Sequence, residues 1–107
     1  MNEQEFKAIS EKTLQTVESA LESCEADIDF EWQGDGVLEI SFANRSKMIV
    51  NRHSAAKEIW VAARAGGFHF RFDQGQWIDT KDGQELFEKL ADLMTQQAGE
   101  LIHLSYD

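Results

Sequence analysis

From Glu3 to Cys24 apolar residues recur at helical spacing, with Phe6, Ile9, Leu14, Val17, Leu21 and Cys24 on one stripe. Asn2 precedes the run and Glu5 stands three residues on, the spacing at which two side chains satisfy each other's first-turn N–H groups. The period then changes to two. Asp27, Asp29 and Glu31 alternate with Ile28, Phe30 and Trp32, which predicts a strand over 27–32 with Trp32 among its core residues. Turns at Gln33-Gly34-Asp35-Gly36 and Ala43-Asn44-Arg45 set off strands over 37–42 and 46–50, and residues 51–57 read as polar and irregular. A strand over 58–64 puts Ile59, Val61 and Ala63 on one face and Trp60 on the other. Gly66-Gly67 turns the chain into 68–72, and Gln74-Gly75 into a short edge strand, 76–78, whose Trp77 is expected to help cover the open face. A second helix is expected from Asp82, with Glu85 at the capping-box position, Leu86, Phe87, Leu90, Leu93 and Met94 inward, and Gly99 as its stop. Leu101–Ser105 reads as a short strand or an extended tail over the core.

Helix, uninterrupted strands, helix predicts an α+β (α/β) fold: a two-layer sandwich in which an antiparallel sheet carries both helices on one face. With 107 residues and no repeat or linker, a single domain over 1–107 is expected. The N-terminal stretch has neither a basic leader nor an apolar run, so the cytoplasm is the expected location, with no membrane partner.

Charge changes this picture most. Ten basic against twenty acidic side chains give a formal charge of -10, which disfavours nucleic acid and anionic surfaces and attracts cations and basic protein surfaces. Glu11, Glu18, Glu22 and Glu25 fall within roughly 60° of helical arc, beside the apolar stripe. Asp27, Asp29 and Glu31 share one strand face, and no Lys or Arg lies between Lys12 and Arg45. Lys7 is placed to offset Glu11. Carboxylates are hard ligands suited to Mg, Ca, Mn and iron, but with no His, Cys or EF-hand spacing such a site is open, weak and unselective. The same surface is equally suited to a basic protein, or to simple solvation.

Other chemistry is sparse. Cys24 is the only cysteine, which excludes an internal disulfide and a multi-thiolate site and reads as a small buried hydrophobe. His53, His69 and His103 lie on separate elements, and nothing in the sequence brings them together. No nucleophile, phosphate-loop, zinc or dinucleotide motif is present. A glycosidase-like acid pair is the runner-up, but exposed carboxylates offer no apolar pocket to raise one of them, so the chain is not expected to be an enzyme. Trp60, opposite the helices, is a natural partner contact; its bland alternative is a ring shielded by Arg64 or Arg71.

The chain resembles the bacterial frataxin family over essentially its whole length. The resemblance is carried by Met1-Asn2-Glu3 with Glu5-Phe6, Asp27-Ile28-Asp29, Gly36-Val37-Leu38, Ser46-Lys47, Ile49, Asn51-Arg52, Ile59-Trp60, Gly66-Gly67-Phe68-His69-Phe70, Trp77-Ile78 and Thr95-Gln96-Gln97-Ala98-Gly99-Glu100. It implies an iron-binding protein of iron–sulfur cluster assembly, acting as donor, chaperone or regulator. The implied ridge is Glu11, Glu18, Glu22, Glu25, Asp27, Asp29 and Glu31, binding Fe2+ and Fe3+ weakly, other hard divalent cations being admissible. Glu18, Glu22, Asp27 and Asp29 are the implied contacts to a cysteine desulfurase, and Trp60 the contact to assembly partners including a cluster scaffold protein. A monomer is expected, with iron-driven association left open. The alternative is an acidic interaction module whose metal binding is incidental. Two departures stand out: Ser19 and Ser23 occupy places where the family ridge often has acids, and the 51–56 loop lacks the family's proline, the chain containing none.

Overall fold

The computed structural model describes residues 1–105. Its elements are α1 (Glu3–Glu22), β1 (Ile28–Trp32), β2 (Val37–Phe42), β3 (Lys47–His53), β4 (Glu58–Ala63), β5 (Gly66–Asp73), β6 (Gln76–Asp79) and α2 (Leu86–Ala98). The strands form one antiparallel sheet in chain order, a six-stranded meander. Both helices lie on one face, as the periodicity predicts. Registers such as Leu38↔Val50, Val50↔Val61 and Ile59↔Phe70 stack alternate residues under the helices, and Leu38, Ile40, Met48, Val50, Ile59 and Phe70 are wholly buried there.

The first helix opens as its sequence requires. Asn2 Oδ1 accepts from Glu5 N at 2.8 Å and Glu5 Oε1 accepts from Asn2 N at 3.0 Å. The second starts later than Asp82. Glu85 is its N-cap, accepting from the N–H groups of Phe87 and Glu88, because Glu85 is held in an extended bridge to Ile78. Asp82 is turned instead toward the ammonium of Lys89. Gly99, at φ 76°, ends the helix in the left-handed conformation that glycine adopts without strain.

Two further expectations change. β3 runs on to His53, so only Ser54–Lys57 form the turn. The His53 Nδ1 accepts from Ala56 N at 3.2 Å and so orders part of the proline-free loop. Trp77 does not cover the open face: it is 3% exposed in the core, edge-on to Phe6 and Phe72, and donates to Thr13 Oγ1 at 2.8 Å. Its register opposite Phe72 puts it on the helix side. Cys24 is half-buried against the core, and the tail is extended, with Ile102 and Leu104 buried and Ile102 N donating to Thr95 Oγ1.

Candidate functional site

The seven acids follow α1, the 23–27 connection and the edge strand β1 in order. Their surroundings differ. Glu11 and Glu18 are half-buried and engaged: Glu11 Oε1 lies 3.2 Å from Arg52 Nη1, and Glu18 Oε2 accepts from the Trp32 indole at 2.7 Å. Arg52 arrives from β3, so Glu11 is offset by that residue and not by Lys7. Asp29 accepts from Phe30 N, and Glu31 from Gln33 Nε2. The side chains of Glu22, Glu25 and Asp27 have no partner among the described residues. Glu25 lies in the connection, because α1 ends at Glu22 with Ser23 as its cap. The last turn of α1 has no basic residue, so the negative end of the helix dipole adds to Glu18 and Glu22.

Trp32 is not core. It is 38% exposed at the end of β1, where α1 flanks the ring instead of covering it and Glu18 answers its N–H. Among the described residues no three Asp, Glu, His or Cys side chains converge into a ready-made metal site. An ion held on this edge therefore has to draw carboxylates toward it or keep much of its water.

The open face of the sheet carries the second candidate. Trp60 projects there and is half-buried, with its ring between two imidazoles. His53 stacks on one side at 3.8 Å between centroids and 10° between planes, and His69 on the other at 4.4 Å and 9°. The expectation that nothing joins the histidines fails for this pair, though not for His103. The cause is the extension of β3: once Asn51↔Trp60 and Trp60↔His69 are in register, His53 and His69 flank the indole. Reading 51–57 as irregular hid that register.

Beneath the stack Glu58 is 5% exposed. Its Oε1 accepts from Trp60 Nε1 and its Oε2 from Arg71 Nη2, each at 2.8 Å, with His69 Nδ1 3.6 Å away. Burial alone would raise this carboxyl, but hydrogen bonds from Trp60 and Arg71, with the charge of Arg71 and the neighbouring His69, hold it below its usual 4.5. A depressed carboxyl contributes stability that is full above the ordinary value and is lost as pH falls through the folded value. Glu58→Ala is therefore expected to cost about 1 kcal/mol at neutral pH, with the difference from the parent shrinking in acid. Urea melts at neutral and acid pH check this, and a pH-independent difference would refute the linkage.

A two-layer α+β sandwich with a carboxylate border and a bare sheet face centred on a fixed indole is a protein whose surfaces, more than any pocket, distinguish it. The model of the frataxin-like domain matches residues 1–100. An iron-sulfur cluster assembly protein CyaY from Dechloromonas aromatica (strain RCB) is 62% identical over 97% of this chain and 99% of its own length. The protein of the same name from Paraburkholderia xenovorans (strain LB400) is 48% identical over 96% and 97%. The solved frataxin from Psychromonas ingrahamii superposes with a TM-score of 0.86 at 30% identity, over 95% of this chain and 96% of that one. The chain belongs to the bacterial CyaY/frataxin family. Members of this family are non-catalytic accessory proteins, in agreement with the expectation that the chain is not an enzyme.

Proposed function

We propose that this chain serves iron–sulfur cluster assembly in the cytoplasm, binding ferrous and ferric iron weakly on its acidic edge and docking that edge on a basic surface of the cysteine desulfurase. The Trp60 face then meets the scaffold side of the complex. The observation that carries this reading is the full-length likeness to relatives named for iron–sulfur cluster assembly. The chemistry agrees with it, since Glu22, Glu25 and Asp27 are exposed, unpaired and close in sequence, and iron favours carboxylate oxygen with retained water. Iron in this role is cargo, and the edge supplies charge and ligands with no chemical step.

Replacing Glu18 and Glu22 by Gln and Asp27 and Asp29 by Asn is expected to weaken binding of both iron and desulfurase at least about tenfold, with the fold retained. Anaerobic calorimetry against each ligand reads the two effects separately. Unchanged iron affinity would remove the metal from the proposal, and unchanged desulfurase affinity would remove the docking role. The absence of three converging metal-ligating side chains among the described residues favours a second reading, in which the edge is a protein contact and metal is incidental. Loss of desulfurase binding alone supports that reading.

A further inference from the structure

Between α1 and the turn joining β1 to β2 lies a groove of about 410 Å³ with Trp32, Glu18, Glu11, Asp35 and Arg52 in its lining. Arg52 is built into it. Its side chain is only 7% exposed, and it fits beneath the turn because residue 36 is glycine: a Cβ there would fall 2.7 Å from Arg52 Nε. Arg52 Nη2 donates to Asp35 Oδ2 at 2.6 Å. Nη1 is different. It lies 3.2 Å from Glu11 Oε1, close enough for charge attraction, but it is buried without a hydrogen-bond partner. A guanidinium N–H left in that state costs free energy that an incoming acceptor recovers.

The groove therefore carries three features that call for different groups. Three carboxylates and one guanidinium in the lining leave a negative balance, which calls for a cation. The buried Nη1–H, ion-paired with Glu11 but without a hydrogen bond, calls for a neutral acceptor oxygen. The exposed Trp32 ring, its N–H fixed on Glu18, offers a face to a flat or apolar group. A bare metal ion answers only the first and is opposed by the guanidinium; an anion is opposed by the carboxylates.

We propose that this groove receives an arginine-bearing extended segment of a basic protein partner. The partner's guanidinium lies on the Trp32 face and pairs with Glu18, while a main-chain carbonyl accepts from Arg52 Nη1. Glu11, whose side chain is 44% exposed, turns outward toward the incoming charge and uncovers that nitrogen. Arginine suits the site better than lysine because its planar cation stacks on indole and forms paired hydrogen bonds with a carboxylate. This rests on the reading of the acidic edge as a docking surface, and adds the place and the residue type.

The test is a titration of the full chain with acetyl-Ala-Arg-Ala-Arg-Ala-amide, followed by the NMR signals of the three indole N–H groups and of Arg52 Nε–H. The Trp32 and Arg52 signals are expected to shift saturably while those of Trp60 and Trp77 stay. The lysine counterpart is expected to bind about threefold more weakly, and Trp32→Leu and Glu18→Gln to weaken the arginine peptide about tenfold and fivefold. Glu25→Gln, the same change of charge away from the groove, is expected to weaken it about twofold at most. Equal losses in Trp32→Leu and Glu25→Gln, or shifts spread evenly along 22–31, would overturn the groove. Magnesium chloride moving the same two signals with comparable affinity would overturn the peptide in favour of a simple cation site. The two readings fail separately. Desulfurase binding that survives neutralisation of the four acids sinks the docking reading, whereas binding that falls without groove selectivity sinks only this inference.

Discussion

Replacing Lys89 by methionine is expected to lower the unfolding free energy by about 3 kcal/mol, because it strands a buried carboxylate. The Lys89 side chain is 10% exposed and that of Asp79 is 4% exposed, and their ion pair at 3.2 Å joins α2 to the end of β6. Asp82 meets the same ammonium from the turn, and the Phe68 ring lies 5.1 Å from it. Methionine keeps most of the volume and removes the charge. Denaturant titration of Lys89→Met measures the loss, and adding Asp79→Asn, which keeps an oxygen for the N–H groups of Lys81 and Asp82, is expected to restore about half of it. A loss below about 1 kcal/mol would mean that Asp79 is solvated after all.

The pH dependence of this cluster has two sides. Burial alone would lower the Lys89 ammonium, but hydrogen bonds to Asp82 and Asp79 outweigh it and hold its pKa above the usual 10.5. A raised amine contributes stability that is full below the unfolded value and is lost as pH rises through the folded one. The hydrogen bond from Lys89 holds Asp82 below its usual 3.8, so the acid side is lost as pH falls through that lower value. Between these limits the cluster is intact.

Gln97→Leu is expected to cost a further large amount, about 3 kcal/mol for three hydrogen bonds lost in a closed site. The amide is 5% exposed near the end of α2. Its Nε2 donates to Ser46 Oγ at 3.0 Å and to Lys47 O at 2.9 Å, and its Oε1 accepts from Arg64 N at 3.1 Å. One side chain thus ties α2 to the β2–β3 turn and to the end of β4. Thermal unfolding of Gln97→Leu and Gln97→Glu separates packing from hydrogen bonding: glutamate keeps the acceptor for Arg64 but loses both donors. A leucine variant as stable as the parent would show that these carbonyl and N–H groups find water instead.

Both residues mark where pattern reading stops. Leu86, Leu90, Leu93 and Met94 announce the inward stripe of α2, yet Lys89 and Gln97 sit on the same face and are buried with it. Their spacing from Leu86 and Leu93 places them on the stripe, but polarity assigns them to solvent. Only their partners make burial affordable: the carboxylates of Asp79 and Asp82 lie before the helix, beyond the reach of its periodicity, and the main chain of Lys47 and Arg64 is far away in sequence. The strands were legible because alternation needs no partner; the flanking of Trp60 by His53 and His69 was not, because it depends on cross-strand register. The carboxylate border could be read residue by residue, whereas Arg52 entering beneath Gly36 to meet Glu11 could not. Trp32 followed the alternation and still escaped the core, since periodicity says which side a residue takes and not how far the helix reaches.

β1 is the last strand on its side of the sheet, and although Ala26 O and Asp29 Oδ1 already take the N–H groups of Ile28 and Phe30, no strand covers it, so it is an edge on which another strand can add. Asp29 and Glu31 lie on that strand and are exposed, so two copies meeting border to border bring like charges together. The carboxylates are therefore expected to oppose pairing of this edge with a second copy even when no ligand is present. A protein stripped of them is expected to lose colloidal stability before it loses its fold, and light scattering belongs beside any binding measurement on such variants.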